Sequence, residues 1–248
     1  MGVAPSGMFH SYNGGETWQN AGTDLLEPEM GVVSVAVDPT NSNVWYIGSQ
    51  GNANSHGIYK TADAGLHYTK IWSFYSANTC YAPARGGWYD MNKIIINPSN
   101  NNEMYCANSH GLYKCANLSS PNPTFTLCNT PGALYSKFYD VDFVSGNPNI
   151  VIACADSSKY RPNCDQSLPY VYDDAKIVIS TDAGATWNLL NSAPASTFSI
   201  AQLMLYSERI TVATTPADPN LLYLLVRKDP DNEIALFILM SRYSPLME

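Results

Sequence analysis

Residues 180–187 read Ser180-Thr181-Asp182-Ala183-Gly184-Ala185-Thr186-Trp187, and this stretch decides the fold because its pattern occurs three times. The other copies are Ser11-Tyr12-Asn13-Gly14-Gly15-Glu16-Thr17-Trp18 and Thr61-Ala62-Asp63-Ala64-Gly65-Leu66-His67-Tyr68. In each copy a hydroxyl and an Asp or Asn oxygen can bond to nearby backbone groups. Glycine supplies a backbone angle that other residues resist, and the final aromatic ring covers the turn. This pattern, the turn motif, predicts a stapled turn between two strands.

The segments that precede each turn motif also repeat. Short runs rich in β-branched and aromatic residues alternate with Asp/Asn-Pro turns, as in residues 32–48 and 57–61. Each unit therefore predicts strand, turn, strand, loop, strand, turn motif and strand, and no stretch has an apolar period of 3.6. Four strands per unit predict an all-β fold, a β-propeller of four-stranded antiparallel blades. A β-sandwich, the alternative, lacks such internal similarity.

The repeat also divides the chain, which is interpreted as one propeller segment over residues 1–248. The predicted pieces are a half blade at 1–30, blades at 31–73, 90–128 and 138–191, and a partial blade at 208–248. The first and the last predicted strands of the chain each correspond to the third strand of a blade. If the two partial blades joined to close a four-bladed ring, one strand would therefore be surplus. The tail at 242–248 does not read as a turn motif. About four blades of a larger propeller is the simpler interpretation.

Composition limits the possible partners. The chain has 248 residues, of which 45% are hydrophobic and 14% charged, with a net charge of -8. No Lys/Arg cluster occurs along the sequence, which argues against nucleic acid or an anionic membrane as partner. No apolar run reaches the length of a membrane span. Residues 1–6 do not read as a signal peptide, and neither a cofactor nor a metal is expected.

The six cysteines bear on the compartment. If His110 and Gly111 form a two-residue hairpin turn, Cys106 and Cys115 lie opposite each other where side chains approach most closely, which predicts a disulfide. The alternative is two buried free thiols. An even count of cysteines favours an oxidising, extracytoplasmic setting, so a secreted or cell-surface protein is expected. The pairing of the others stays open: Cys80, Cys128, Cys154 and Cys164.

The repeat resembles the Asp-box (BNR) propellers, which include sialidases, xyloglucan-cleaving hydrolases and sortilin-type (Vps10) domains. The resemblance covers nearly the whole chain but departs at Cys115-Ala116-Asn117, where a turn motif would begin. It implies that the turn motifs are scaffold. The residues given this structural role are Ser11, Asn13, Gly15, Trp18, Thr61, Asp63, Gly65, Ser180, Asp182, Gly184 and Trp187.

The turn motifs also indicate where function lies. They join third to fourth strands, so the loops on the opposite side are the ones expected to vary and to bind. Those loops are 49–57, 72–90, 129–137, 156–175 and 191–208. Aromatic rings among carboxylates and arginines suit sugar rings or peptides, although long loops also pack on themselves with such residues. The candidate ligand-binding residues are Trp72, Tyr75, Tyr81, Arg85, Trp88, Tyr89, Tyr160, Arg161, Tyr170 and Tyr172.

A glycoside hydrolase needs two carboxyl groups on either side of a groove. The same loops supply five candidates, and their spacing selects no pair: Asp90, Asp156, Asp165, Asp173 and Asp174. A sialidase would instead need three arginines with a Tyr/Glu pair. Arg85, Arg161 and Arg209, with Tyr206 and Glu208, are in the right loops, but chance readily places them there.

Residues 209–220 look most like the sortilin-type domains. The function predicted from this resemblance is an extracytoplasmic, sortilin-like propeller that acts as a ligand-binding or scaffold module. The expected partners are a polysaccharide or an extracellular protein or peptide, together with the remaining blades of a parent chain. The alternative is a fragment of a xyloglucanase-like glycoside hydrolase, so catalysis is left open.

Overall fold

A computed structural model describes eleven stretches of the chain. These are residues 8–21, 30–51, 55–73, 91–133, 136–156, 158–160, 171–173, 175–190, 207–218, 221–228 and 234–240. Within them the backbone forms strands and turns, and no helix long and apolar enough to cross a membrane occurs there. The chain divides into two compact units, Met1–Ser109 with Lys114–Thr126, and His110–Tyr113 with Leu127–Glu248.

The strands up to residue 127 form one two-stranded and two four-stranded antiparallel sheets. The small sheet pairs β1 (Met8–His10) with β2 (Gln19–Ala21). The first complete blade has the order β3 (Gly31–Asp38), β4 (Asn41–Gln50), β5 (Gly57–Thr61) and β6 (Thr69–Trp72). The second has the order β7 (Met91–Asn97), β8 (Asn100–Asn108), β9 (Gly111–Cys115) and β10 (Phe125–Leu127).

The strands after residue 127 all belong to the second unit. One blade comprises β11 (Phe138–Val144), β12 (Asn147–Ala155), β15 (Lys176–Ser180) and β16 (Asn188–Leu189). The hairpin of β13 (Ser158–Tyr160) and β14 (Val171–Asp173) lies between its second and third strands in sequence. A three-stranded sheet follows, with β17 (Ser207–Thr214), β18 (Leu221–Lys228) and β19 (Ile234–Met240). The predicted all-β fold of four-stranded antiparallel blades is confirmed.

Within each unit, neighbouring sheets are joined at their first strands. In the first unit the Ile94 amide donates to Ser34 Oγ at 3.0 Å. In the second unit the Val212 amide donates to Asp140 Oδ2 at 2.8 Å. Apolar side chains of β12, β15, β17 and β18 form the buried core of the second unit. This core includes Ile152, Cys154, Ile177, Ile179, Ile210, Val212, Leu222, Leu224 and Val226.

A register shift recurs near the start of every first strand. The shifts lie between Val32 and Ser34, Met91 and Lys93, Phe138 and Asp140, and Ser207 and Arg209. The residues left between these pairs are Val33, Asn92, Tyr139 and Glu208. A β-bulge gives its extra residue a new direction, and bulges are frequent beside functional sites. The bulge at Tyr139 is the one that matters for the site.

Burial two residues after each bulge distinguishes the first complete blade from the others. Val35 is 47% exposed, whereas its equivalents are buried, with Ile94 at 2%, Val141 at 0% and Ile210 at 1%. The blade before Ile94 covers it, since a Cβ on Gly48 would lie 3.5 Å from Ile94 Cγ2. In the described part of the chain, the sheet before Val35 consists of the two strands β1 and β2. Val35 therefore contributes little apolar burial in this chain.

Val35→Thr is expected to change the free energy of unfolding by less than about 0.5 kcal/mol, because an exposed methyl group is removed. Ile94→Thr, at the equivalent position, should cost about 2 kcal/mol, because it leaves a hydroxyl and a cavity in the core. Urea unfolding of both variants measures the difference. Equal losses would show that Val35 is packed as Ile94 is.

The three turn motifs share one set of hydrogen bonds. The first hydroxyl donates to the side-chain oxygen two residues later, at 2.9 Å for Ser11–Asn13, 2.8 Å for Thr61–Asp63 and 2.8 Å for Ser180–Asp182. The amides of Gly15, Gly65 and Gly184 donate to the same hydroxyls at 2.8, 3.0 and 2.7 Å. The residue before each of these glycines has a positive φ: Gly14 at 73°, Ala64 at 57° and Ala183 at 54°. The three turns are therefore copies of one structure.

A fourth turn of this kind begins at Cys115, where the sequence departs from the pattern. Cys115 Sγ donates to Asn117 Oδ1 at 3.3 Å, in the place of the usual hydroxyl. The amide of Thr124 donates to the same Oδ1 at 2.8 Å, although it lies seven residues after Asn117 instead of four. Phe125 then follows, as Trp187 follows Thr186. Because of this longer spacing between Asn117 and Thr124, the sequence pattern of the turn motif does not identify this turn.

The predicted disulfide between Cys106 and Cys115 is wrong, because both are buried free cysteines. The error lies in the hairpin turn. β8 ends at Asn108 and β9 begins at Gly111, so the two turn residues are one position earlier than expected. Counting outward from this turn places Met104, not Cys106, opposite Cys115. Cys128 and Cys154 are also buried and free, whereas Cys80 and Cys164 lie outside the described residues.

Cys115→Ser is therefore expected to keep the stability within about 1 kcal/mol, because the serine hydroxyl can donate to Asn117 as the other turns do. Cys115→Ala should be less stable than Cys115→Ser, since it leaves Asn117 without that donor. Urea unfolding under non-reducing conditions is the measurement. A disulfide would be revealed if both variants lost about 2–5 kcal/mol equally.

The carboxyl group of Asp182 has a pKa lowered to about 2, because it accepts hydrogen bonds from the hydroxyl and then the amide of Thr186. The ordinary value is 3.8. Because the folded pKa is the lower one, this group stabilises the fold above pH 4 and loses its contribution as the pH falls towards 2. The Asp182 carboxyl carbon should titrate by NMR with a midpoint of about 2. A midpoint near 3.8 would mean that the turn opens in solution.

Candidate functional site

The candidate site lies at the loop end of the second unit. This is the end at which β11 and β17 begin and β12 and β18 finish. Phe138 pairs with Ala155, so the start of β11 lies beside the end of β12. Ser207 pairs with Lys228, so the start of β17 lies beside the end of β18. The turn motif at 180–187 follows β15 at the opposite end, because Ser180 pairs with Val151. In this blade the turn motif therefore lies at the end opposite the strand ends that lead into segment 156–175.

Tyr139 is the centre of the site. It is the bulged residue of β11, and its ring is half-buried. Lys137 Nζ lies 4.7 Å from the ring centroid and Arg209 Cζ lies 4.8 Å from it. Both distances are within the range of a cation–π interaction. One ring therefore holds two cations that come from neighbouring sheets.

A third cation belongs to the same group. Arg209 and Arg227 are direct cross-strand partners in β17 and β18, and both are exposed. Direct partners on antiparallel strands share a face, and like charges in that arrangement destabilise the pair. We refer to Lys137, Tyr139, Arg209 and Arg227 as the cation group.

Asp156, one of the five candidate carboxylates, lies beside the cation group. Its backbone amide donates to the carbonyl oxygen of Lys137 at 2.8 Å, and its side chain is half-buried. This bond ties the end of β12 to the start of β11. A residue that bears a carboxylate therefore lies at the same strand ends as the aromatic ring and Lys137.

The segment 156–175, predicted as a loop, contains the β13–β14 hairpin, which forms a two-stranded sheet of its own. Ser158 pairs with Asp173 in this hairpin, so the backbone of a second candidate carboxylate belongs to the same segment as Asp156.

The other predicted site residues divide into three groups. Trp72 stacks on Phe125 in the first unit, with centroids 4.5 Å apart and an angle of 23°, so its ring takes part in packing. For three residues the structure describes only the backbone: Tyr160, Tyr172 and Asp173. The rest lie outside the described residues: Tyr75, Tyr81, Arg85, Trp88, Tyr89, Asp90, Arg161, Asp165, Tyr170 and Asp174, and likewise Tyr206 of the sialidase alternative.

Sequence reasoning missed most of the cation group. The sequence indicates Arg209 only as a candidate sialidase arginine, and it gives no functional signal for Lys137, Tyr139 or Arg227. Their positions at strand ends were readable from the repeat, but the bulge and the cross-strand pairing were not. Within the described stretches, no group of three or more His, Cys, Asp or Glu residues could hold a metal ion.

Comparisons with known proteins bear on the fold. No protein-family profile and no curated protein matches the chain. An ancestral GH74 enzyme is similar in structure, with 17% identity and a TM-score of 0.57 over 87% of this chain and 24% of the enzyme. A chain of the COPII outer coat vertex on membranes has 13% identity and a TM-score of 0.53, over 92% of this chain and 54% of that one.

These likenesses agree with the strand order. This chain spans 24% of the GH74 enzyme's length and 54% of the coat protein's. At such identities the comparison shows the fold alone. The chain has the fold of a partial β-propeller built from four-stranded antiparallel blades.

Proposed function

We propose that this chain is a ligand-binding segment of a glycoside-hydrolase-like β-propeller, and that the loop end of its second unit binds an extended polysaccharide. The observation that carries the proposal is the convergence of Tyr139, its two cations and Asp156 at that end. Sugar-binding sites combine aromatic surface with a few polar groups that fix orientation. The site is open to solvent at Arg209, so a long ligand has access.

The scaffold supports an assignment to the Asp-box (BNR) type. Three turn motifs share their hydrogen bonds, and a fourth keeps part of them around Asn117. In such a propeller these turns are structural, and the opposite loops are available for binding. The fold shared with a GH74 enzyme makes a carbohydrate the favoured ligand class.

Hydrolysis is an extension of this proposal and centres on Asp156 and Asp173. Glycoside hydrolases use two carboxyl groups about 5–10 Å apart, depending on mechanism. Both residues belong to the segment between β12 and β15, at the end of the blade opposite the turn motif. Catalysis would require one of the two groups to act as acid and the other as base or nucleophile.

A sortilin-like scaffold that binds an extracellular protein is the second candidate. It is favoured by residues 209–220, which resemble the sortilin-type domains and of which 209–214 lie in β17. A secreted or cell-surface location belongs to the same proposal. It rests on that resemblance, since the four described cysteines are free.

The test uses the full chain against xyloglucan, xylan, glucuronoxylan and a peptide array, with binding measured by calorimetry and cleavage by release of reducing sugar. We expect polysaccharide binding that Asp156→Asn weakens. Asp218→Asn is the matched control, because residue 218 lies in the β17–β18 turn at the other end of the unit.

The outcomes separate the candidates. Sugar release abolished by Asp156→Asn or Asp173→Asn would establish hydrolysis. Binding without release would leave a recognition module. Binding to peptides and to none of the polysaccharides would overturn the carbohydrate proposal in favour of the scaffold.

A further inference from the structure

We propose that the first unit carries a docking surface for a β-hairpin, which would add to β1 and complete the β1–β2 sheet as a four-stranded blade. The surface consists of β1 and of the exposed side chains Val35 and Val37 of β3, and we call it the open edge. It lies in the first unit and shares no residue with the polysaccharide site proposed in the second unit.

The β1–β2 sheet packs on part of the first complete blade. Met8 of β1 packs against the buried cluster that includes Ile47 and Tyr59. The centroid of the His10 ring, also in β1, lies 5.6 Å from that of the Trp45 ring. Trp45 and Ile47 belong to β4 and Tyr59 belongs to β5, so β1 lies over the second and third strands of the blade.

Next to this contact, the first strand of the same blade exposes apolar side chains. Val35 is 47% exposed and Val37 is 49% exposed. Val35 pairs with Ile47 and Val37 pairs with Trp45, and direct partners on antiparallel strands share a face. The two valines therefore lie on the face that β1 covers at β4 and β5. Adjacent exposed apolar side chains of this kind indicate a surface for a protein partner.

The second complete blade shows which elements cover this face. Ile94 is the equivalent of Val35 and is 2% exposed. A Cβ on Gly48 of β4 would lie 3.5 Å from Ile94 Cγ2. The Ile94 amide donates to Ser34 Oγ of β3 at 3.0 Å. The first and second strands of the preceding blade therefore cover Ile94 together.

The second unit repeats this arrangement. Ile210, at the same position of β17, is 1% exposed and shares a core with Ile152 and Cys154 of β12. Asp140 of β11 accepts the Val212 amide at 2.8 Å. In both units a first strand supplies a polar acceptor and a second strand supplies the covering surface. By the same rule, the open edge requires a first and a second strand.

β1 provides a backbone edge for such an addition. The turn motif at 11–18 joins β1 to β2, which identifies them as a third and a fourth strand. In the first complete blade the second strand pairs with the third, as Gly48 pairs with Ile58. Among the strands that the structure describes, β1 pairs with β2 alone. A strand edge of this kind accepts a further strand through main-chain hydrogen bonds.

A β-hairpin fits the open edge better than other partners do. A single added strand would pair with β1 but would leave Val35 uncovered, because two strands cover its equivalent. A second copy of the chain offers the sheet β17–β18–β19, whose third strand would occupy the place that β1 already holds. The expected partner is therefore a hairpin with Ser or Asp on its first strand and a small residue facing Val35 on its second.

The experiment measures amide hydrogen exchange of the isotope-labelled full chain by NMR, with and without an excess of an unlabelled synthetic peptide. The peptide has the sequence of residues 31–50, the hairpin that carries Ser34 and Gly48. We expect exchange in β1 and at Val35 to slow at least about tenfold, because both become paired or covered. The same peptide with Gly48→Trp should slow neither, since the new ring would occupy the space of Val35.

Val35→Asp in the full chain should abolish this slowing, because it places a carboxylate at the contact. Leu225→Asp is the matched control, since Leu225 is 45% exposed on β18 and lies outside the open edge. The two variants should have similar Tm values, because both residues are exposed strand positions. Slowed exchange that survives Val35→Asp would overturn the open edge as the docking surface.

A chain with a second copy of residues 31–50 placed before residue 1 keeps the test decisive if the free peptide does not form a hairpin. Residues 1–6 then separate the added hairpin from Gly7, as residues 51–56 separate β4 from Gly57. In this extended chain Val35→Asp should lower Tm by about 5 °C or more, because the carboxylate becomes buried. An unchanged Tm there, with no slowing by the peptide, would overturn the proposal.

Analytical ultracentrifugation of the full chain tests the remaining occupant, a second copy. We expect a monomer, both in the wild type and in Val35→Asp. A dimer that Val35→Asp dissociates would show that a second copy covers the open edge, and it would overturn the hairpin as its partner.

Discussion

Gly57→Ala is expected to lower the free energy of unfolding by about 3 kcal/mol, through strained backbone and a steric clash together. Gly57 begins β5 with a φ of 138°, which side chains rarely allow. An added Cβ would lie 2.3 Å from the carbonyl oxygen of Trp72 and 2.9 Å from Lys70 Cε. Because the first of these atoms belongs to the backbone of β6, the sheet itself would have to separate. Urea unfolding measures the loss.

Gly146→Ala is the matched control for this variant. Gly146 also has a positive φ, 79°, but an added Cβ would have nothing within 4 Å. Only the backbone term remains, which should cost about 1 kcal/mol. The difference between the two variants isolates the clash. Equal losses would mean that β6 moves away from the new Cβ at no cost, so that the clash with the Trp72 carbonyl oxygen does not contribute to the loss.

Asp140→Ala is expected to cost about 2–3 kcal/mol, because it leaves a buried amide without its acceptor. The Asp140 side chain is 3% exposed, and Oδ2 accepts the Val212 amide at 2.8 Å. This bond joins β11 to β17, the strands that carry Tyr139 and Arg209. The variant should therefore weaken polysaccharide binding as well as stability, although Asp140 is not proposed to contact the ligand. Urea unfolding and calorimetry measure the two effects.

Asp140→Asn and Thr214→Val are the controls for this prediction. Asparagine keeps one acceptor oxygen, so Asp140→Asn should lose less than Asp140→Ala. Thr214 Oγ1 donates to the Phe143 carbonyl at 2.9 Å, so Thr214→Val removes a second bond between the same strands but leaves Asp140 in place. That loss should be about 1 kcal/mol. Wild-type stability in Asp140→Ala would show that β11 and β17 are held by apolar packing alone.

The architecture could be predicted because its signals are local. The hydrogen bonds of the first hydroxyl and of the Asp or Asn side chain in each turn motif close within eight residues, as between Thr61 and Gly65. The strand order then follows from repetition of these turns. The predicted disulfide failed although it was also a local inference. A shift of one residue in a two-residue turn changes every partner in the hairpin, and sequence alone did not specify which residues of Ser109, His110 and Gly111 form the turn.

The candidate site could be predicted only in part. Asp156 was identified because it lies in a long loop on the expected side of a blade. Arg209 was noted for a different chemistry. Tyr139 gave no sequence signal, because the bulge that turns its ring towards two cations depends on the register between β11 and β12. In the sequence Arg227 is one polar residue of an apolar strand, and only the cross-strand pairing with Arg209 places it in the cation group.

The sequence by itself determined that the chain folds as propeller blades, since short-range hydrogen bonding and alternating apolar residues act within each unit. It also determined which side of a blade carries the loops. Only the tertiary structure decided which charges meet there. Lys137 and Tyr139 lie far from Arg209 along the chain, and their approach depends on inter-sheet bonds such as that between Asp140 and Val212. Electrostatic interactions depend on distance in space, and no pattern within one repeat encodes that distance.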